Sequence, residues 1–265
     1  KTTFLHEPGY KKNVCIKRFY SHFVWGKSVK KYLHKMEKPD VVYCAIPSLT
    51  AAFNVAKFCK RNKVRFIIDI QDLWPEAFQM VFNPPIIGKV MYCPIRLIAD
   101  SIYKSADEIC AVSETYAERA LSLNGKTKSA HVVYLGTDLS SFDKNVSSQK
   151  LVEYVEDNIG CNRLVIVKDN NDVLRKPLGE TWVAYCGTLG SSYDLESAIT
   201  AIAKLSDLEV RLVVMGDGPL RERFIECAKN HNIKATFTGR IPYNKMCSIL
   251  ASCDLTINPI VHNIS

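Results

Sequence analysis

The chain lacks several features that would place it quickly. Among its 265 residues and ten cysteines there is no C-x-x-C, and no histidine pair stands at zinc-ligand spacing, so no metal site is expected. The longest uncharged run, Val41–Ala56, has 16 residues and is broken by Pro47, too short for a membrane-spanning helix. The opening KTTFLHEPGYKK has no apolar signal core. No G-x-G-x-x-G follows a candidate strand, which argues against a dinucleotide oxidoreductase. Low-complexity tracts and short repeats are absent as well. These absences point to a globular chain with reduced cysteines, cytoplasmic or at most peripheral on a membrane.

What is present is ordinary in amount and uneven in place. Apolar residues make up 47% and charged residues 23%, enough for one large domain or two of moderate size. Residues 1–38 hold ten Lys and Arg against two Glu, an excess equal to the whole net charge of +8. Phe19, Phe23, Val29, Leu33 and Met36 fall near one face of a predicted helix there, while Lys27, Lys31, Lys35 and Lys38 recur at spacings of four, four and three. Such a helix buries one side on a sheet and turns a lysine stripe outward; a simply solvated face has the same pattern. No nucleic-acid recognition motif accompanies it, so no nucleic-acid partner is expected.

From residue 40 onward, β-rich runs alternate with helical stretches. Strands are predicted at 40–46, 64–70, 108–112 and 131–134, with helices at 48–61 and 86–104 and a third helix opened by a Thr115/Glu118 capping box. Residues 138–180 are polar and irregular. The alternation restarts with strands at 182–186, 210–215, 235–237 and 255–258, and helices at 193–205, 220–231 and 243–251. Strands separated by helices of this length imply parallel sheets with right-handed crossovers. The expected division is a first domain over 1–137, a linker with peripheral elaboration over 138–180, and a second domain over 181–265.

In such sheets ligands bind beyond the carboxyl ends of the strands. Three strands of the second block end in glycine-bearing loops: Gly187-Thr188-Leu189-Gly190, Gly216-Asp217-Gly218-Pro219 and Gly239-Arg240-Ile241. Small residues let backbone approach a phosphate, and a helix start attracts anions; each loop alone also reads as a tight turn. In the first block Asp69, Asp72 and Glu76 surround Trp74-Pro75 just past a strand. Carboxylates there suit sugar hydroxyls or proton transfer, although one of them capping a turn explains the spacing equally well.

FIIDIQDLWPEAF, SADEICAVSETYAERAL, VVYLGTD, WVAYCGTLGSSYDLESAITAI, LVVMGDGPLRERF and FTGRIPYNKMCSILASCDLTINP follow one another in this order. Over residues 40–265 they resemble glycosyltransferase family 4, especially members that build capsular, exopolysaccharide or O-antigen chains. The resemblance implies an α/β chain of two Rossmann-like, doubly wound parallel-sheet domains, the GT-B fold. It implies retaining transfer from a nucleotide-sugar donor to a glycan or polyisoprenyl-linked acceptor, with no cofactor and no obligatory metal. Gly187, Thr188 and Gly190 would lie near the diphosphate, and Gly216, Asp217 and Gly218 would border the nucleoside. Gly239, Arg240 and Ile241 would lie at the base, and Gln71 and Asp72 would face the sugar across the cleft. The lysine stripe would then meet anionic lipid on the inner face of the plasma membrane.

Three departures from the family's pattern stand out. No basic residue occurs from Thr181 to Ala203, where relatives often neutralise the diphosphate; Gln71 stands where they often have His or Arg; and the last glutamate is Glu226, so their paired C-terminal glutamates have no counterpart. The expectation is a catalytic unit lacking both ends and inactive alone. A nucleotide-sugar 2-epimerase or a non-catalytic nucleotide-sugar-binding subunit are the alternatives.

Overall fold

The protein is described by a computed structural model covering residues 2–10, 15–46, 48–79, 87–146, 151–156, 163–205 and 207–261. It forms two compact units, Lys1–Gly136 and Thr137–Ser265. No helix among the described residues is long and apolar enough to cross a membrane.

The first unit runs α1 (Ile16–Leu33), β1 (Val41–Ala45), α2 (Leu49–Asn62), β2 (Arg65–Ile70), α3 (Glu76–Gln79), α4 (Ile87–Ser105), β3 (Glu108–Ala111), α5 (Glu114–Leu121) and β4 (His131–Val132). Its four strands form one parallel sheet in the order β1-β2-β3-β4. Alternation along β2 sends Phe66, Ile68 and Ile70 into the core. There they meet Leu49, Ala52, Val55 and Cys59 of α2 and Ala99, Ile102 and Tyr103 of α4. The α2 positions recur at helical spacing, so one stripe of that helix is buried. On β1, Val41 and Tyr43 remain 47% and 60% exposed.

Two local expectations are corrected here. Helix α1 packs on α2 rather than on the sheet. Its contact face carries Gly26, whose added Cβ would lie 2.9 Å from Thr50 Oγ1. Thr50 Oγ1 donates to His22 O and Asn54 Nδ2 donates to Gly26 O at 3.0 Å. Close backbone approach therefore selects that face. Leu33, Val29 and Met36 join the core, whereas Phe19 and Phe23 are exposed. Lys27 and Lys31 are exposed on the helix, and Lys35 and Lys38 lie beyond its end. In α5 the cap is Ser113, whose Oγ accepts from Tyr116 N at 3.4 Å; Thr115 sits inside the first turn.

The second unit runs α6 (Leu139–Val146), β5 (Val152–Val155), β6 (Leu164–Ile166), β7 (Leu174–Pro177), β8 (Thr181–Cys186), α7 (Leu195–Ala203), β9 (Val210–Met215), α8 (Arg221–Asn230), β10 (Lys234–Gly239), α9 (Tyr243–Ala251) and β11 (Leu255–Thr256). Residues 138–180 are thus built into this unit. Strand β6 closes one edge of a five-stranded parallel sheet ordered β11-β8-β9-β10-β6, and β5 pairs with β7. Alternate residues of β8 and β9 feed two cores. Val183, Tyr185, Leu212 and Val214 pack with α7 and α8, while Trp182, Ala184, Val213 and Met215 pack with Ile249 of α9. Sheet faces covered on both sides give the near-continuous apolar strands of this block.

One charged pair lies inside that core. Glu180 and Arg211 have side chains 1% and 2% exposed. Arg211 Nε and Trp182 Nε1 donate to Glu180 Oε2 at 3.0 and 2.7 Å, and Lys234 Nζ stands 3.2 Å from Oε1. Burial pushes the Glu180 carboxyl up, but the bonds from Arg211 and Trp182, with the nearby charges, overcome it and hold the pKa below its ordinary 4.5. A depressed carboxylate contributes stability above its unfolded pKa and loses it as pH falls through the folded one. Stability of the second unit should therefore decline as pH drops below about 4.5. Urea titrations across that range should show the decline in the native chain and a flatter profile in Glu180→Gln. That variant should also lose about 3–5 kcal/mol at neutral pH, because Arg211 is left buried without its counter-charge.

Candidate functional site

Because β8, β9 and β10 are parallel neighbours, their following loops converge on one sheet edge. Main-chain bonds lace the three loops together. Gly187 N donates to Met215 O at 3.0 Å, Gly216 N to Gly239 O at 2.9 Å, Leu189 N to Asp217 O at 3.0 Å and Leu220 N to Leu189 O at 3.0 Å. Gly216 has φ +141°, and a Cβ there would stand 1.9 Å from Gly187 O. A Cβ on Gly218 would stand 2.3 Å from Leu189 O. Both glycines are thus demanded by loop-to-loop packing before any ligand is considered. Gly190 differs, since an added Cβ would meet only Thr188 Cγ2, at 3.7 Å. Nothing in the chain itself requires glycine at that position.

Electrostatics at this edge also departs from the sequence expectation. Helix α7 begins at Leu195, and its N-cap is Asp194, whose carboxylate accepts from Ser197 N at 3.1 Å and Ser197 Oγ at 2.6 Å. The helix start has its own anion, so its amides are a poorer phosphate cradle than expected. Arg223 is committed to Glu196 through two bonds of 2.6 and 2.7 Å, and Arg221 to Glu222 at 2.7 Å. Arg240, just past Gly239, is exposed and has no acidic partner among the described residues. Asp217 Oδ1 accepts from Gly218 N at 2.8 Å. Ile241 packs against the core beside Ile249, which leaves Arg240 as the side chain of that pair open to solvent.

In the first unit the carboxyl edge carries the other group. Asp69 is the penultimate residue of β2 and accepts from Gln71 Nε2 at 2.9 Å. Trp74 is 4% exposed and donates its Nε1 to Ile46 O at 3.2 Å, anchoring the turn to the end of β1. Glu76 is held by Arg119 Nε at 3.0 Å, and Arg119 also binds Asp100 at 2.8 Å, so Glu76 ties α3 to α4 and α5. Asp72 is the exposed carboxylate, its pKa raised by partial burial and opposed by Arg18. Its charge in turn adds to burial in raising Tyr116. The Arg18 guanidinium stacks 5.6 Å from both the Tyr10 and Trp74 rings. Arg18 belongs to α1, far from Asp72 in sequence, and no motif pointed to it. No group of three or more His, Cys, Asp or Glu among the described residues could hold a metal.

Residues 167–261 match the family model "Glycosyl transferases group 1". No curated protein matches the sequence. Among solved structures, Anabaena Alr3699/HepE in complex with UDP superposes with a TM-score of 0.58 at 15% identity, over 87% of this chain and 56% of that one. Sucrose-phosphate synthase from Thermosynechococcus elongatus gives 0.61 at 14% identity, over 97% and 60%. The catalytic domain of starch synthase IV from Arabidopsis thaliana, bound to ADP and acarbose, gives 0.57 at 13%, over 96% and 58%. The chain therefore spans 56–60% of the length of these structures. At these identities the likeness establishes the fold, two Rossmann-like domains of the GT-B kind.

The glycine geometry separates two kinds of substitution. Gly218→Ala should destabilise the second unit by about 1–3 kcal/mol, as overpacking does, with a larger loss for Gly216→Ala. Gly190→Ala should stay within about 0.5 kcal/mol of the native chain. Urea midpoints of the three variants test this ordering, and a large loss at Gly190 would contradict the assignment.

Proposed function

We propose that this chain acts as a glycosyltransferase, binding a nucleotide sugar at the laced glycine loops of the second unit and transferring its sugar to a glycan or lipid-linked acceptor. The observation that carries the reading is a coincidence in place. The stretch that matches the family model, residues 167–261, contains all three converging loops and Arg240. HepE has been solved with UDP and with UDP-glucose, and starch synthase IV with ADP. These support a nucleoside diphosphate as the shared part of the donor. Gly190 then has a reason to be glycine that the fold does not supply, namely close approach of the diphosphate to backbone N–H groups. Arg240 supplies the cation missing between Thr181 and Ala203.

In the first unit, Asp72 is the carboxylate proposed to contact the transferred sugar, with Gln71 beside it. Glu76 is given a positioning role, because its charge is already matched by Arg119. Transfer is taken to retain anomeric configuration and to need no metal. A cell-surface polysaccharide acceptor on a polyisoprenyl phosphate would place the protein on the inner membrane face. Lys27, Lys31, Lys35 and Lys38 are exposed in a way that suits anionic lipid there, each worth about 1 kcal/mol close to the surface.

Calorimetric titration with UDP, ADP and GDP and their sugars should give saturable binding to at least one. Gly190→Val should weaken it at least tenfold, about 1.4 kcal/mol. Asp72→Asn should bind the nucleotide normally, while a full-length enzyme carrying it should turn over at least ten times more slowly. Binding unchanged in Gly190→Val would remove the donor site from these loops.

Sedimentation with phosphatidylglycerol and phosphatidylcholine vesicles addresses the lysines separately. Salt-sensitive binding to the first alone, lost in Lys27→Glu/Lys31→Glu/Lys35→Glu, is expected. Equal binding to both lipids would exclude the electrostatic mechanism.

A further inference from the structure

A concavity of the first unit lies at the edge of its sheet opposite Asp72. A hollow of about 520 Å³ opens where α2 and α4 end and β2 and β3 begin. Its floor is Cys59, Val64 and Phe66, and its wall carries Lys60, Lys63, Arg65, Lys104 and Lys126. The one acidic lining residue is Asp107, and both of its oxygens are occupied. Oδ1 accepts from Lys126 Nζ at 2.6 Å and Oδ2 from Phe66 N at 2.9 Å. Burial raises this carboxyl, but those bonds win and hold it below the usual aspartate value, so it stays charged and committed. Arg65 is matched by Glu108. Lys60, Lys63 and Lys104 have no acidic partner among the described residues.

Lysines at the end of a helix can simply answer its dipole. That answer is too small here. The ends of α2 and α4 together amount to about one negative elementary charge, and three unmatched ammonium groups face them. On the other side of Lys60 a second hollow, also about 520 Å³, is lined by Lys30, His34, Lys57 and Arg61 and by no acid. Lys57, Lys60, Arg61, Lys63 and Arg65 fall close together in the chain, and the fold adds Lys30 on one side of them and Lys104 and Lys126 on the other. Like charges gathered around a concavity repel one another, and an anion within it relieves that repulsion.

We propose that the hollow between the ends of α2 and α4 is an anion site for a ligand carrying two or more phosphate groups. It is separate from the carboxyl-edge site: β2 spans six residues at about 3.3 Å each, which puts roughly 20 Å of sheet between the two. Lys60 stands between the two hollows and lets one extended polyphosphate engage both. Ammonium groups on flexible stems suit phosphate as point charges, without the fixed fork of an arginine pair.

Inorganic tripolyphosphate, titrated calorimetrically into the whole chain, is the test probe. Saturable binding is expected, weakened at least tenfold in Lys60→Gln/Lys104→Gln and unaffected by Gly190→Val. Both lysines are exposed, and unfolding temperatures of the double and the two single variants check that the fold is kept. A parallel arm uses phosphatidylglycerol vesicles. Lysine-dependent binding of tripolyphosphate assigns the phosphates to a soluble ligand; lysine-dependent binding of vesicles alone assigns them to a lipid surface. Binding equal in wild type and double variant, or binding lost in Gly190→Val instead, overturns the proposal, as does no saturable binding of either probe.

Discussion

Gly216 has no room for a side chain, because the carbonyl oxygen of Gly187 occupies that space. This contact, repeated between Gly218 and Leu189, sets the shape of the second unit's carboxyl edge. Three loops from adjacent strands become one surface of main-chain atoms, held by bonds between Gly187 and Met215, Leu189 and Asp217, and Gly216 and Gly239. The N–H groups of Gly187, Leu189, Gly190 and Gly216 are spent on carbonyls of these loops and strand ends, so the lacing supplies a fixed main-chain surface rather than free donors. Such a surface is made by the fold and then left open at Gly190.

The first unit divides its charge between the two ends of its strands. Asp69 and Asp72 stand at the carboxyl edge beside Arg18 and Trp74, while unmatched lysines gather at the amino edge around Asp107. Proximity to a strand end does not by itself give a carboxylate a chemical role. Glu76 lies four residues beyond Asp72, yet Arg119 converts it into a tie between helices. Asp72 keeps an exposed carboxyl with a raised pKa, a combination found where chemistry is done as well as where a charge is merely crowded.

Alternation of short apolar runs with helical stretches made most of both sheets readable, since each strand of β8 to β10 buries both faces and ends in a visible turn. The region 138–180 was not readable in the same way. Strand β6 has only three residues and pairs with β10 some seventy positions later, so no local pattern announces it. The place of α1 was also hidden. Its lysine spacing and its phenylalanines suggested one buried face, but Gly26 against Thr50 decided for another. Main-chain proximity has no signature in hydrophobic periodicity. Arg18 was missed for a related reason, because its stacking on Trp74 depends on how α1 is turned. The three glycine loops were found, yet what the glycines do divides two ways, and only the positions of neighbouring carbonyls tell Gly216 and Gly218 from Gly190.

Strand β9 is buried along its whole length, on both faces. Valine, leucine and methionine there would be content in neighbouring alignments, so the hydrophobic effect does little to choose among them. Arg211 is the exception, because it must find Glu180 and Thr236 together. A shift of β9 by one residue would strand that guanidinium in the core at a loss of about 3–5 kcal/mol. It would also carry Gly216 about 3.3 Å past Gly187. An ion pair at one end of the sheet thus acts as the register mark by which the glycines at the other end come into line.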